Sequence, residues 1–181
     1  MKLIKTLITT ALLGASVFSF QSTVYAMENE QIDKILHLFE QKDFKSALAI
    51  IRPLAEQGDG VAQGMLAMLY RNGDGIKQDY FEAIKWYKKS AEQGVDIAQY
   101  ELAGMYINGL GVKQNYQEAI KWYQKAAENN NPQAQAIVGA AYMGGIGVKQ
   151  NFATAKKWFG KACDNKEQKG CEMYKQLNQG T

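Results

Sequence analysis

Apolar residues along this chain fall in short bursts at three- and four-residue spacing, and the bursts recur. Ala62, Leu66, Ala67, Leu69 and Tyr70 mark one helical face, helix A; Tyr80, Ala83, Ile84, Trp86, Tyr87 and Ala91 mark a second, helix B. The same letters return 36 positions later and then again: Tyr70, Tyr106 and Tyr142; Ala83, Ala119 and Ala155; Trp86, Trp122 and Trp158. A fixed period in the range of roughly 20–50 residues predicts an all-α chain, an α/α solenoid of helix-turn-helix repeats. Each unit buries its apolar face only against its neighbours, so the product is an extended surface rather than an enclosed pocket.

The polar punctuation keeps the same period. Gly73 and Gly75, Gly109 and Gly111, and Gly145 and Gly147 stop helix A and supply the positive backbone angles of a tight loop. Asp79 with Glu82, and Asn115 with Glu118, have the spacing of a capping box at the start of helix B; Asn151 with Thr154 keeps the cap alone. Small residues share registers too. Ala67, Ala103 and Gly139 predict close helix crossings, and the pairs Trp86-Tyr87, Trp122-Tyr123 and Trp158-Phe159 fill the layers between units as core rather than as a ligand cage. Pro53 and Pro132, the only prolines, are expected near helix boundaries.

The flanks deviate. Ile32, Ile35, Leu36 and Phe39 predict a first helix A, joined by a shorter connection to a helix B marked by Phe44, Ala47, Ile50 and Ala55. Gly170 to Leu177 matches the start of a fourth helix A and then stops. Ahead of the repeats, Lys2 and Lys5, the apolar run from Leu7 to Phe20 and Val24-Tyr25-Ala26 have the layout of a secretory signal peptide cut after Ala26. The expected organisation is a signal peptide over 1–26, an N-terminal capping repeat over 27–59, three repeats over 60–166 and a partial capping helix over 167–181. Removing the two signal lysines takes the formal charge from +3 to +1, which argues against nucleic acid or an anionic membrane as partner. No membrane insertion is expected after cleavage.

The pattern L-A-x-x-Y-x-x-G-x-G-(I/V)-x-x-(D/N)-(Y/F)-x-x-A-x-x-W-(Y/F)-x-x-(A/S)-A runs from Leu66 to Ala91 and from Leu102 to Ala127, with a third copy from Val138 to Cys163 that varies at Gly139 and Cys163. It resembles the Sel1-like repeat. The short-looped first unit, Gln31 to Gly58, is more similar to the tetratricopeptide repeat. The resemblance implies an α/α solenoid that works in protein–protein interaction or complex assembly, often in the periplasm or outside the cell.

Cys163 and Cys171 are the only cysteines. By register they flank the last B-to-A turn, so their sulfurs are expected to meet, and an exported protein sits where disulfides persist. The pair is also similar to the bridges of the Helicobacter cysteine-rich proteins. Seven residues separate the two, unlike the C-x-x-C of redox enzymes. A metal site lacks partners, because His37 is the only histidine. Ser46 and Ser90 are the only serines after the signal, and none of the serine motifs of penicillin-recognising enzymes is present. No cofactor or catalytic residue is expected.

Registers that vary between repeats are free to recognise something. If helix A lines the concave side, as in tetratricopeptide arrays, Met68, Arg71, Tyr100, Ile107, Asn108 and Met143 form a groove for a protein or peptide partner, with Arg71 and Tyr100 contributing little to stability. The expected function is therefore a non-enzymatic interaction module or scaffold of the cell envelope. Two alternatives stand beside it: a periplasmic immunity or inhibitor protein neutralising an exported toxin, a role known for periplasmic Sel1-like proteins, and a weak β-lactamase-like hydrolase.

Overall fold

Each apolar burst folds as a helix of 12 or 13 residues. The computed structural model describes residues 29–179, and the expected signal peptide and its cut lie outside them. Nine helices run in order among the described residues: α1 (Asn29–Glu40), α2 (Phe44–Glu56), α3 (Gly60–Asn72), α4 (Tyr80–Glu92), α5 (Asp96–Asn108), α6 (Tyr116–Glu128), α7 (Pro132–Gly144), α8 (Phe152–Asp164) and α9 (Gln168–Gln179). Each packs on the next, so α1 to α8 form four antiparallel hairpins and α9 closes the stack; α9 also touches α7. The core is one continuous seam of alanines, leucines and aromatics from Ile35 to Val138, extended by Phe159 and Ala162. No helix among the described residues is long and apolar enough to cross a membrane.

Local chemistry sets the helix starts. Asp79 accepts from the backbone N–H groups of Phe81 and Glu82, Asn115 from Glu118 and Asn151 from Thr154. The expected capping boxes do not close. The N–H of Asp79 donates to the Tyr70 carbonyl at 2.9 Å and that of Asn115 to Tyr106 at 3.0 Å, because the loop folds these carbonyls back over the helix start. Glu82 turns instead to the Trp86 indole N–H at 3.1 Å and to Lys85. Pro53 lies inside α2, three residues before its end, where it has no N–H to give the Ala49 carbonyl one turn back. Leu36 is 48% exposed and Leu38 packs in its place.

Two devices join the units. The first is the second loop glycine. Gly111, at φ +68°, lies on the backbone of Tyr80 at the start of the preceding helix B; a Cβ there would stand 2.8 Å from the Tyr80 Cβ and closer still to its carbonyl. Gly75 meets Phe44 and Gly147 meets Tyr116 in the same way. The sequence pattern predicts a turn at these glycines, and the structure adds that they are the points where units touch backbone to backbone.

The second device is a ladder of buried amides. Gln63, Gln99 and Gln135, in the first turn of each helix A, donate to the last-turn carbonyls of Ala55, Ala91 and Ala127 in the preceding helix B at 3.0–3.1 Å. Each then accepts from an amide at the end of its own unit's helix B: Gln93 at 2.8 Å, Asn129 at 3.1 Å and Asn165 at 2.9 Å. The same carbonyls accept the turn N–H groups of Gly58, Gly94 and Asn130 at 3.1 Å, so the glutamine is a second donor that ties each helix end to the next unit. At the last seam Cys163 and Cys171 occupy the alanine and glutamine registers and sit as a disulfide, Cα atoms 4.4 Å apart.

The C-terminal end is dressed for water. Ile120 packs beside Gly147 of the next unit; in its register α8 carries Lys156, half-buried beside Gly160 and Tyr174. Phe152, in the register of Tyr80 and Tyr116, has no following glycine loop over it and is 56% exposed.

Two outcomes are expected in urea unfolding. Gly111→Ala costs about 3–4 kcal/mol, strain plus backbone collision, whereas Gly94→Ala, also at positive φ (+90°) but with nothing within 4 Å, costs only the strain of about 1–2 kcal/mol; equal losses would remove the backbone contact as the reason for the glycine. Cys163→Ala with Cys171→Ser costs about 2–3 kcal/mol under oxidising conditions, and Cys163→Ala with Cys171→Gln, which restores the internal registers, recovers about 1 kcal/mol of it.

Candidate functional site

On the exposed side of helix A, the registers that differ from unit to unit lie side by side along α3, α5 and α7. Their centre is a residue the sequence pattern passes over. Glu101 stands in the register of Met65 and Ile137, a lone carboxylate in an otherwise apolar row. It pairs with the Arg71 guanidinium across the seam between α3 and α5, the two side chains 28% and 30% exposed. Arg71 also reaches over the Tyr87 ring, 5.9 Å from its centroid. Tyr100 meets Tyr123 edge to face at 5.2 Å.

The phenols report this environment. Burial pushes the Tyr123 hydroxyl up to about 12, with Tyr100 and Glu101 adding to the shift. Burial raises Tyr87 further; Arg71 opposes the shift and Glu101 adds to it. Burial also raises Tyr100, assisted by Glu101 and then Glu167. One carboxylate therefore acts on three aromatic rings from two units.

Of the residues expected to bind a partner, Arg71 and Tyr100 gather around Glu101. Met68 and Ile107 are half-buried against the same core. Met143 lies one unit further on, in a groove of about 420 Å³ between α7 and α9. Asn108 is set apart at the loop end of α5, where its amide donates to the Gly104 carbonyl of its own helix at 2.8 Å. Arg71 departs from the expectation that it contributes little to stability: its ion pair bridges two units. The only signal for that role was the acid one repeat along, in a register otherwise filled by Met and Ile.

The candidates for chemistry all have structural work. Ser90 is fully buried and donates to the Gly60 carbonyl at 2.5 Å. The Ser46 hydroxyl donates to the capping Asp43 at 2.6 Å, which holds that carboxyl below its usual range. His37 is exposed on α1, with a ring nitrogen 2.9 Å from the Gln41 amide nitrogen. Lys89, Lys125 and Lys161 lie over Trp86, Trp122 and Trp158 at 4.1–4.5 Å, so each indole face is covered from its own helix. Among the described residues no three His, Cys, Asp or Glu converge on a point, and every buried side-chain polar atom has a partner.

The family model described as the Sel1 repeat matches residues 60–95, 96–131 and 132–166. The chain belongs to the Sel1 repeat family. Among solved structures, the Sel1 repeat protein of Oxalobacter formigenes is 33% identical with a TM-score of 0.70, over 73% of this chain and 54% of that one. A protective antigen of uropathogenic Escherichia coli strains, described as displaying an SLR fold, is 36% identical with a TM-score of 0.71, over 80% of this chain and 32% of its own. This chain thus spans about half of the first and about a third of the second. Cysteine-rich protein B of Helicobacter pylori is 24% identical at a TM-score of 0.59, over 72% of this chain and 94% of that one, and shares the fold. No curated protein matches. Sel1-repeat folds are in general protein–protein interaction scaffolds without catalysis of their own.

The buried phenol gives this Sel1-repeat protein an alkaline limit. Below pH 10 the folded and unfolded states both keep the Tyr123 proton. Between pH 10 and about 12 only the unfolded state loses it, so stability falls with rising pH. The loss expected from Tyr123 is about 3 kcal/mol. Urea unfolding from pH 9 to 12 should show a shallower decline for Tyr123→Phe than for the parent, with Tyr87 accounting for what remains; parallel declines would contradict the burial of this hydroxyl.

Proposed function

We propose that this protein is a non-enzymatic interaction module of the cell envelope that holds a segment of a partner protein on the helix-A face of α3, α5 and α7. The observation that carries this reading is the division of labour among registers. Positions that join units recur: the loop glycines, the ladder glutamines and the alanines at helix crossings. Positions on the helix-A face change: Gly64, Tyr100 and Ala136; Met68, Gly104 and Ala140; Arg71, Ile107 and Met143. Several of these side chains also pack within the stack, as Tyr100 does on Tyr123, yet each unit presents a different half-exposed surface. Methionines that adapt their shape and a braced tyrosine with a polar tip suit recognition. In this reading residues 27–59 and 167–181 cap the two ends.

The cysteine pair supports an oxidising compartment, periplasmic or extracellular. The bonded state of Ser46 and Ser90 supports a protein without hydrolase activity, and hydrolysis of nitrocefin is expected to stay at background.

Photo-cross-linking tests the interaction directly. A benzophenone amino acid at Met68, Ile107 or Met143, in the full chain expressed in its own host, is expected to trap the same partner band. The same group at Lys85 or Lys121, exposed on the helix-B side, is expected to trap none. Equal labelling from both sides would remove the helix-A face from the account.

A further inference from the structure

Each repeat carries an aromatic ring in one register of helix B, namely Tyr87, Tyr123 and Phe159, and the chain treats the three rings differently. Within the first unit the Arg71 guanidinium reaches over Tyr87, 5.9 Å from the ring centroid. Within the second, Tyr100 stands edge to face on Tyr123, with centroids 5.2 Å apart. The third unit supplies neither cover. Ala136 occupies the register of Tyr100, and Met143 that of Arg71. Among the described residues no second ring and no cation is stacked on Phe159.

Further departures in the third unit open the same place. Gly139 stands where the second unit has Ala103 and lets the Phe159 ring lie against α7; a Cβ at 139 would be 2.8 Å from that ring. Ala140 is short where Met68 is long. The result is a groove of about 420 Å³ between α7 and α9, with Ala136, Ala140, Met143, Phe159 and Met173 along it and Lys169 and Glu172 completing the lining. An apolar cavity of about 150 Å³ already holds benzene, so this groove has room for a ring.

Resting on the reading that the helix-A face holds a segment of a partner protein, we infer that the segment inserts an aromatic side chain into the groove between α7 and α9, where it takes on Phe159 the place that Tyr100 takes on Tyr123. The preceding unit is the template for the occupant: the same registers, with the ring supplied from within the chain. Met143 and Met173 bring thioethers, which contact ring edges favourably and adapt to the shape of what enters. A charged side chain would give up its hydration against alanine, methionine and phenylalanine. An aliphatic one would forgo the edge-to-face contact, which is worth about three- to tenfold in affinity beyond the area it buries.

The test uses the full chain and two probes, N-acetyl-phenylalaninamide and N-acetyl-leucinamide, each titrated while the amide resonances of Ala140 and Met173 are followed. The aromatic amide is expected to shift both resonances and to bind about three- to tenfold tighter than the aliphatic one. Ala136→Tyr gives the third unit the residue that the second carries at Tyr100, and is expected to abolish this binding with the melting temperature held. Ala140→Met, in a register that accepts methionine at Met68, is expected to weaken it several-fold and decides the matter should the tyrosine disturb the fold. Equal or tighter binding of the leucine amide, binding that survives these substitutions unchanged, or no saturable shift with either probe would each overturn the inference. So would a dimer that grows with concentration and that Ala136→Tyr dissolves, since the groove would then belong to a second copy of this chain, whose Phe81 is 76% exposed. Partner bands trapped from Met68 or Ile107 would persist when the probes fail, leaving the interaction reading intact and only the occupant of the groove wrong.

Discussion

Every unit of this stack depends on backbone meeting backbone at the seam. A hairpin of two 13-residue helices is short for independent stability, and its buried stripe is rich in alanine, which contributes little apolar area per residue. Alanine does permit close approach, and the loop glycines complete it: Gly75, Gly111 and Gly147 bring one unit's loop onto the first turn of the preceding helix B. At that distance dispersion contacts are dense and no water enters, so the carbonyls at the helix ends need partners from within. The glutamine ladder adds one to each. Close approach and polar satisfaction therefore go together: remove the glycine and the seam opens; remove the glutamine and the carbonyl keeps only its own turn's N–H, while the amide that donated to the glutamine loses that partner across the unit.

The ends follow from the same requirement. A seam needs a loop from the next unit, and beyond α9 none of the described residues provides one. In α8, Lys156 takes the register that Ile84 and Ile120 fill in the two preceding B helices, half-buried beside Tyr174. The last seam, with α9 alone on its far side, exchanges the glutamine–carbonyl hydrogen bond for the Cys163–Cys171 bridge at the same two registers. A covalent link stands at the seam whose outer side is a single helix. At the other end α1 and α2 are joined by a short turn with Lys42 at positive φ rather than by a glycine loop.

Helices, period and helix starts were legible in the sequence because each rests on local spacing that repeats three times. Capping boxes were not, because the N–H of Asp79 could go to Glu82 or to Tyr70, and only the fold of the loop decides. Leu36 and Pro53 lie in the first unit, where no second copy exposes the register. The glutamines recur as plainly as the tryptophans, yet their partners are carbonyls, which sequence does not display; the clue was a polar residue held constant in the first turn of a helix otherwise small and apolar. On the helix-A face the pattern points to Arg71 and Tyr100 but not to what joins them, since Glu101 has no counterpart in Met65 or Ile137.

That single-copy acid marks where the repeats are allowed to differ. The seams tolerate little, so side chains that join units are held to glycine, alanine and glutamine. The helix-A face is held less tightly: Tyr100 packs on Tyr123, and Met68 and Ile107 lean on the core, yet each of these registers takes a different residue from unit to unit. Glycine at 104 in place of the methionine at 68 leaves room beside the Tyr123 hydroxyl, 3.6 Å from where a Cβ would sit. Alanines at 136 and 140 deepen the next step of the same surface. Three repeats with one shared skeleton thus present three different steps: the Arg71–Glu101 pair between the first and second, the Tyr100–Tyr123 contact in the second, and the apolar groove at Met143 in the third.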